Sequence, residues 1–423
     1  MKRNYYLVVL IFLTFFVISF ITNILGALNP DVIQSFNLSL TLAGLLPFAF
    51  FIAYGVMSIP SGMIVEKFKE KATMALAFIV AFLGALLFSI FPQYIIFLIS
   101  LFLMGSGMAM LQVAINPLLR VSGGEEHFAF NSVMAQLIFG AASFIAPMFL
   151  TYLITNLQRG GANPVKSFFS GLITEDLSWT SLYWVFALIF LGMVVVIWIS
   201  KFPAVEKKED EIAGTWETHK SLFGRRVVIL YFIGIFAYVG TEQGVSYWLS
   251  KFLYTYHNFD PLTIGAATVG RFWGMMSVGC LIGLIFLKLF DSRKILLVAV
   301  LFAATFLSIA LFGSGKAALY AFPMVGFSLS VMWSIVFSLA LNSLESYHGS
   351  FAGILCTAII GGAIIQVIIG WLGDMFGLRA GMLLIYVTLA YIFGVGIWAR
   401  PIITNETFKA KIMKKGSALT AAK

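Results

Sequence analysis

Residues Lys201 to Arg226 read KFPAVEKKEDEIAGTWETHKSLFGRR, and the fold follows from how this stretch differs from its surroundings. It holds 11 of the chain's 45 charged residues and is the one long polar run between Met1 and Pro401. On either side lie about 200 residues of apolar sequence, and each side divides into six hydrophobic segments. A water-soluble protein does not place its one charged loop between two apolar halves of equal length. A duplicated membrane protein does.

Composition agrees. The chain is 61% hydrophobic and 11% charged, against roughly 25% charged for a soluble domain. A soluble fold of this size would have too few charges left to cover its surface, whereas lipid solvates apolar side chains directly. The start, MKRNYYLVVLIFLTFFVISFITNILGAL, has a basic beginning like a signal peptide. Its apolar run is too long and no small-x-small cleavage site follows, so it reads as a first spanning helix. Segments long enough to cross a hydrocarbon core fall at 5–28, 41–64, 73–91, 94–117, 128–157 and 180–200, then at 227–250, 262–287, 295–314, 318–343, 350–372 and 380–399. Helix is the state that satisfies every backbone amide within its own segment. The expected fold is an all-α integral membrane protein of twelve transmembrane helices in two pseudo-symmetric six-helix bundles, residues 1–200 and 227–400. Residues 201–226 form a cytoplasmic linker loop and 401–423 a cytoplasmic tail.

Lys and Arg set the orientation. With both termini cytoplasmic, the inner connections and tails carry 21 of the 27, the outer connections carry five (Arg159, Lys166, Lys251, Lys316 and Arg379), and Arg271 lies within a segment. The net charge of +9 thereby faces the anionic inner leaflet of the plasma membrane and calls for no nucleic acid.

Cys280 and Cys356 both lie in apolar segments, and the four histidines are scattered through polar connections, so neither a disulfide framework nor a metal site is expected. No nucleophile-base-acid set can be assembled, so no enzymatic activity or cofactor is expected. No Gly-rich Lys-Ser/Thr loop occurs, which disfavours ATP-driven pumping. A membrane scaffold or sensor would need an effector domain, and neither the linker nor the tail is long enough.

Two connections repeat. Gly62 is followed by Glu66, Lys67, Lys69, Glu70 and Lys71; Gly283 is followed by Lys288, Asp291, Arg293 and Lys294. Each reads as a helix-ending Gly before a short, mixed-charge inner turn. This resembles the major facilitator superfamily, whose second-to-third and eighth-to-ninth loops carry such a motif. The resemblance implies a gating role for Gly62, Glu66, Lys67, Asp291 and Arg293, although Glu66 stands where an Asp is commoner and the second Gly is missing. A narrower resemblance runs from the first to the eleventh segment: Asn116-Pro117 and then FAFNSVMAQLIFGAASFIAP (128–147), Tyr238-Val239-Gly240-Thr241-Glu242, Phe272-Trp273-Gly274, and Ile359-Ile360-Gly361-Gly362-Ala363 with Gly370 and Asp374. These are similar to the fucose–galactose–glucose proton symporters and imply a monomeric sugar permease with alternating access between two bundles. The chain also departs from that family. The first-segment acid falls on Leu25-Gly26, the fourth-segment acid on Gln112, and the eighth-segment Arg on Cys280. Neither Gly nor Gln titrates, so coupling through those two positions is excluded by residue type.

The ionisable residues left within the segments are therefore informative. Glu242 lies about ten residues from the outer end of the seventh segment, ~15 Å deep, and Arg271 about nine residues into the eighth, ~13 Å deep. A Glu242–Arg271 pair at matched depth is expected to carry a proton or cation, to grip a polar substrate, or to fix helix register. Asp374 reads as interfacial. Sugar hydroxyls suit amides, and sugar C–H faces suit aromatic rings. The candidate substrate-binding residues are Asn23, Gln112, Asn116, Gln136, Gln243, Asn342 and Gln366, with Tyr238, Trp248, Trp273 and Trp333 for stacking. Each amide also reads as an interhelical hydrogen bond, and Asn116-Pro117 as a helix terminus. The reading is a secondary transporter of a monosaccharide or sugar derivative with H+ or Na+ as coupling cation. The alternative is a facilitator or sodium-coupled carrier of another small polar or anionic solute, such as a sugar acid or cell-wall fragment, whose carboxylate Arg271 would meet.

Overall fold

The computed structural model describes residues 4–123, 128–158, 164–169, 171–173, 175–202, 216–344 and 347–402. Among them twelve helices are long and apolar enough to cross a membrane: α1 (Tyr5–Phe36), α2 (Leu40–Val65), α3 (Lys67–Ile90), α4 (Tyr94–Ile115), α5 (Met134–Gln158), α6 (Leu177–Ile199), α7 (Arg226–His257), α8 (Pro261–Leu289), α9 (Ser292–Phe312), α10 (Gly315–Leu341), α11 (Ser350–Phe376) and α12 (Leu378–Trp398). Each expected segment is present. Linker residues 203–215 and tail residues 403–423 lie outside the described residues. The described end of the linker is a short helix, Trp216–Phe223, seated by buried His219 and Leu222.

The helices start and stop where local chemistry satisfies the free backbone groups at their ends, and these devices occur twice. Asn37 ends α1 and Asn258 ends α7, both in the left-handed conformation with φ 51° and 54°, which Asn tolerates through its short polar side chain. Two residues on, Ser39 caps α2 by accepting from Leu42 N–H at 3.2 Å. In the same place of the second half, Asp260 caps α8 by accepting from Thr263 N–H at 2.9 Å. On the opposite face Lys71 Nζ donates to the Trp198 and Ser200 carbonyls at 2.9 and 2.7 Å, closing the end of α6. Arg293 Nη1 likewise donates to the Ala399 carbonyl at the end of α12, at 3.2 Å. A cation at a helix C-terminus meets both the free carbonyls and the negative end of the dipole. The duplication read from composition is thus also written in the caps.

The reading of Gly62 and Gly283 as helix ends needs correction. Gly62 and Gly283 do not end their helices: helical structure runs past Gly62 until Lys69 breaks it (φ 67°, ψ 168°), and α8 continues to Leu289. A Cβ on Gly283 would stand 2.1 Å from Val331 Cγ1 of α10, so that glycine permits close helix packing. Asp291 caps α9 and pairs with Arg293 (Oδ1–Nε 3.4 Å), and both stay within the second half. Lys67 is exposed, and the Glu66 side chain lies outside the described residues.

Four helices deviate, α1, α10 and α11 near mid-membrane and α12 about 8 Å from its Leu378 end, although a continuous helix leaves no backbone group free. α1 loosens at Asn23–Ile24, between helical pieces Tyr5–Thr22 and Leu25–Phe36. α10 breaks at Ser330–Val331, between Gly315–Leu329 and Met332–Leu341. α11 carries a 3₁₀ turn at Ala358–Ile360, and α12 is interrupted at Leu383. Irregular backbone is tolerated at this depth only inside protein or beside a water-filled cavity. Here the Cys280 thiol donates to the freed Ser330 carbonyl at 3.4 Å.

The two halves meet along one seam. Call outer the face bearing the α1–α2, α7–α8 and α11–α12 connections, as the charge distribution predicts. Hydrogen bonds between the halves gather toward that face. Asn29 Nδ2 donates to the Tyr247 carbonyl (3.1 Å), Tyr247 Oη to the Ala43 carbonyl (2.6 Å), Thr151 Oγ1 to the Leu262 carbonyl (2.7 Å), and the first turn of α2 to Asp374. Glycines close the seam between them: a Cβ on Gly26 would lie 2.4 Å from the Ser246 carbonyl oxygen, and one on Gly44 2.8 Å from that of Gln366. The described conformation is closed on the outer side.

Candidate functional site

Glu242 is the one acidic residue in the middle of α7. One helical turn separates it from Tyr238, so both point to the same side of the helix. Tyr238 Oη donates to Glu242 Oε1 at 2.7 Å, and Gln243 Nε2 reaches Oε2 at 3.4 Å. Trp333 of α10 lies beside Tyr238, ring centroids 5.9 Å apart and planes at 54°, and Phe337 stacks on Trp333 at 5.6 Å. The Cys280 thiol of α8 lies within electrostatic reach of the carboxylate. Glu242, Trp333 and Cys280 are half-buried while Tyr238 is buried. The second half thus offers a carboxylate with a phenol on one oxygen, next to two stacked ring faces.

The first half supplies a matching polar group. Gln112 of α4 donates to Tyr54 Oη of α2 at 3.3 Å, with Thr22 and Cys356 beside Tyr54. Asn23 Nδ2 donates to Ser143 Oγ of α5 at 2.8 Å, and Ser19 and Ser143 both bond to the Phe139 carbonyl, so this amide nitrogen ties α1 to α5. Its Oδ1 is left over. Among the described residues, Asn23 Oδ1, Trp273 Nε1, and both Nε2 and Oε1 of Gln366 are buried with no hydrogen-bond partner. Leaving a buried donor or acceptor unmatched costs about 1–3 kcal/mol. Trp248 Nε1 is likewise unmatched, so four of the sequence-selected residues hold bonding capacity that the protein itself does not use.

The other candidates separate. The expected Glu242–Arg271 pair is not formed: Arg271 is exposed, and no ion pair joins it to Glu242, whose partners are Tyr238 and Gln243. Depth along a helix is readable from residue counts, but direction around the axis is not. The buried face of α8 is made by Val269, Gly270, Phe272 and Trp273, and Arg271 projects away from it. Gln136 is exposed. Asn342 lies at the end of α10 in a hollow with Leu287, Ser292 and Ser338, and its carbonyl accepts from Ile402 N–H at 2.8 Å. Nine residues beyond Trp333, it stands ~13 Å further along the helix, remote from the aromatic cluster. Trp248 is buried edge-on against Tyr247, centroids 5.0 Å apart, within the closed outer seam. Helical structure continues through Asn116-Pro117 to Gly123, so that pair does not terminate the helix; their side chains lie outside the described residues.

Sequence reasoning missed Tyr54, Ser19 and Ser143, and read Asp374 as interfacial without its partners on α2. Tyr54 carries a detectable signal, a polar tip within a Phe-rich run, whereas serine in a membrane helix usually bonds its own backbone and gives none.

Comparison with known proteins places this architecture. The model of the Major Facilitator Superfamily matches residues 11–359. A glucose/galactose transporter of Brucella abortus biovar 1 (strain 9-941) is 32% identical over 394 residues, 91% of this chain and 92% of its own. The L-fucose-proton symporter of Escherichia coli (strain K12) is 26% identical over 395 residues, 86% of either chain. A crystal structure of the major facilitator superfamily transporter FucP in the outward conformation superposes with a TM-score of 0.67 at 24% identity, covering 93% of this chain and 98% of that one. The chain described here belongs to the major facilitator superfamily.

Proposed function

We propose that this protein is a secondary transporter that moves a neutral monosaccharide across the cytoplasmic membrane by alternating access, with both termini cytoplasmic and Glu242 coupling transport to protons. The observation that carries the reading is the mid-membrane cluster of Glu242, Tyr238 and Trp333. Ring faces suit the C–H side of a pyranose. The unmatched Asn23, Trp273 and Gln366 atoms supply both acceptors and donors, as a polyhydroxylated ligand requires. The relatives' names, glucose/galactose transporter and L-fucose-proton symporter, support a hexose and a proton. The acids usual in that family fall on Gly26 and Gln112 here, leaving Glu242 as the half-buried carboxylate among the sugar-binding candidates.

The test is substrate-triggered acidification in proteoliposomes holding an internal pH dye. L-Fucose, galactose, glucose and N-acetylated hexosamines are offered with and without sodium. One hexose is expected to acidify the lumen independently of sodium. Labelled sugar entering without acidification would remove the proton, and absence of entry for the whole panel would remove the sugar.

An anionic solute held by Arg271 fits less well, because Arg271 projects away from the cluster. Arg271→Gln is expected to leave sugar KM and maximal rate within about twofold, as for an exposed residue away from the site. A tenfold rise in KM would bring Arg271 back into the site.

A further inference from the structure

We propose that Asp374 is a positioning residue of the transport cycle: its carboxylate latches the outer side shut by capping α2 from the opposite half of the molecule. The first turn of a helix leaves N–H groups without intrahelical acceptors. In α2 the chain's own cap, Ser39, takes Leu42 N–H at 3.2 Å and leaves Leu40 and Thr41 unserved. Asp374, at the outer end of α11, accepts from Leu40 N–H at 2.7 Å, from Thr41 N–H at 2.7 Å and from Thr41 Oγ1 at 2.5 Å. One carboxylate thus receives three hydrogen bonds at the positive end of the α2 dipole, a charge-assisted arrangement stronger than neutral bonds.

The donors are 333 and 334 residues away in sequence and belong to the other half. The contact therefore exists only while the outer ends of the halves touch. It cannot stabilise either bundle alone, since it bridges them. Among the described hydrogen bonds of the outer seam it is the one that carries a formal charge. Asp374 is exposed, so water can replace the α2 amides when the seam opens, and the latch is reversible. Gln366 lies eight residues earlier on the same helix, ~12 Å along its axis. A tilt of the outer part of α11 that frees the latch would also move Gln366 and its unmatched amide.

The inference rests on two-sided access and not on the identity of the sugar, so its test uses no substrate. Ser246→Cys, a near-isosteric change in the outer seam, serves as reporter in a Cys280→Ser, Cys356→Ser background. A membrane-impermeant maleimide is added to the outer face of right-side-out vesicles carrying the full chain. Asp374→Asn keeps the shape but removes the charge and one acceptor oxygen. It is expected to speed labelling about five- to twentyfold, while Asp374→Glu stays close to the parent. Thr41→Val removes one of the three bonds, and about a twofold increase is expected. An unchanged rate in Asp374→Asn overturns the proposal. Should that variant not reach the membrane, an unchanged rate in Thr41→Val overturns it instead.

Discussion

Proteoliposomes carrying Glu242→Gln are expected to exchange internal for external sugar at near-parental rates and to fail at accumulating it. The two activities separate because exchange needs only the loaded carrier to turn round, whereas accumulation needs the proton to be released on one side. Glutamine preserves the shape and keeps a carbonyl oxygen for Tyr238 Oη, which donates to Glu242 at 2.7 Å. It cannot bind or release a proton. With one proton per sugar and a potential of 100 mV, the driving force is about 2.3 kcal/mol, equivalent to an accumulation of roughly 50-fold. In the variant that ratio is expected to fall to one, and sugar-triggered acidification to vanish with it. Survival of uphill uptake would remove Glu242 from the coupling path. Loss of exchange as well as uptake would assign it to sugar binding.

What the chain reveals before folding, and what it withholds, follows from the kind of information each feature needs. Twelve spans are legible because apolarity is a property of each residue summed over a window, and the central charged run is visible against it. Helix ends are less legible. The first segment is expected to end at residue 28, yet α1 runs on to Phe36, and in this stretch Gly26 and Asn29 meet the other half at Ser246 and Tyr247. Tyr238 and Glu242 stand one turn apart on one helix, so their contact lies within reach of the sequence, yet sequence reasoning assigns Tyr238 to stacking and pairs Glu242 with Arg271. Arg271 could not be placed, since its direction depends on which face of α8 the bundle buries. Asp374 is the extreme case: it reads as an interfacial acid, and its partners, Leu40 and Thr41, are brought to it only by the closure of the whole fold. Polar residues are identifiable by type, but the contacts that give them roles are set by tertiary packing.

The same dependence predicts that Gly370→Val stops transport without unfolding the protein. A Cβ at this position would stand 2.3 Å from the Leu40 carbonyl oxygen, 2.8 Å from the Leu40 carbonyl carbon and 3.1 Å from Thr41 Cα. All three atoms are backbone, and all belong to the opposite half, so neither bundle is overpacked when they stand apart. The cost falls only on the outward-closed state. Overpacking of this kind costs about 1–3 kcal/mol, and at the upper figure the closed population falls roughly 100-fold relative to the open one. The variant is therefore expected to insert and bind sugar from outside normally, while exchange and net uptake both drop by one to two orders of magnitude. Gly105→Val is the contrasting case. Its Cβ would meet the Phe50 carbonyl oxygen at 2.2 Å within the first half, so the clash is present in every conformation and should lower Tm and membrane yield. Sugar binding, exchange and thermal unfolding of the two variants distinguish a jammed seam from a damaged bundle. Parental exchange in Gly370→Val would show that the outer ends need not close this tightly for the carrier to turn over.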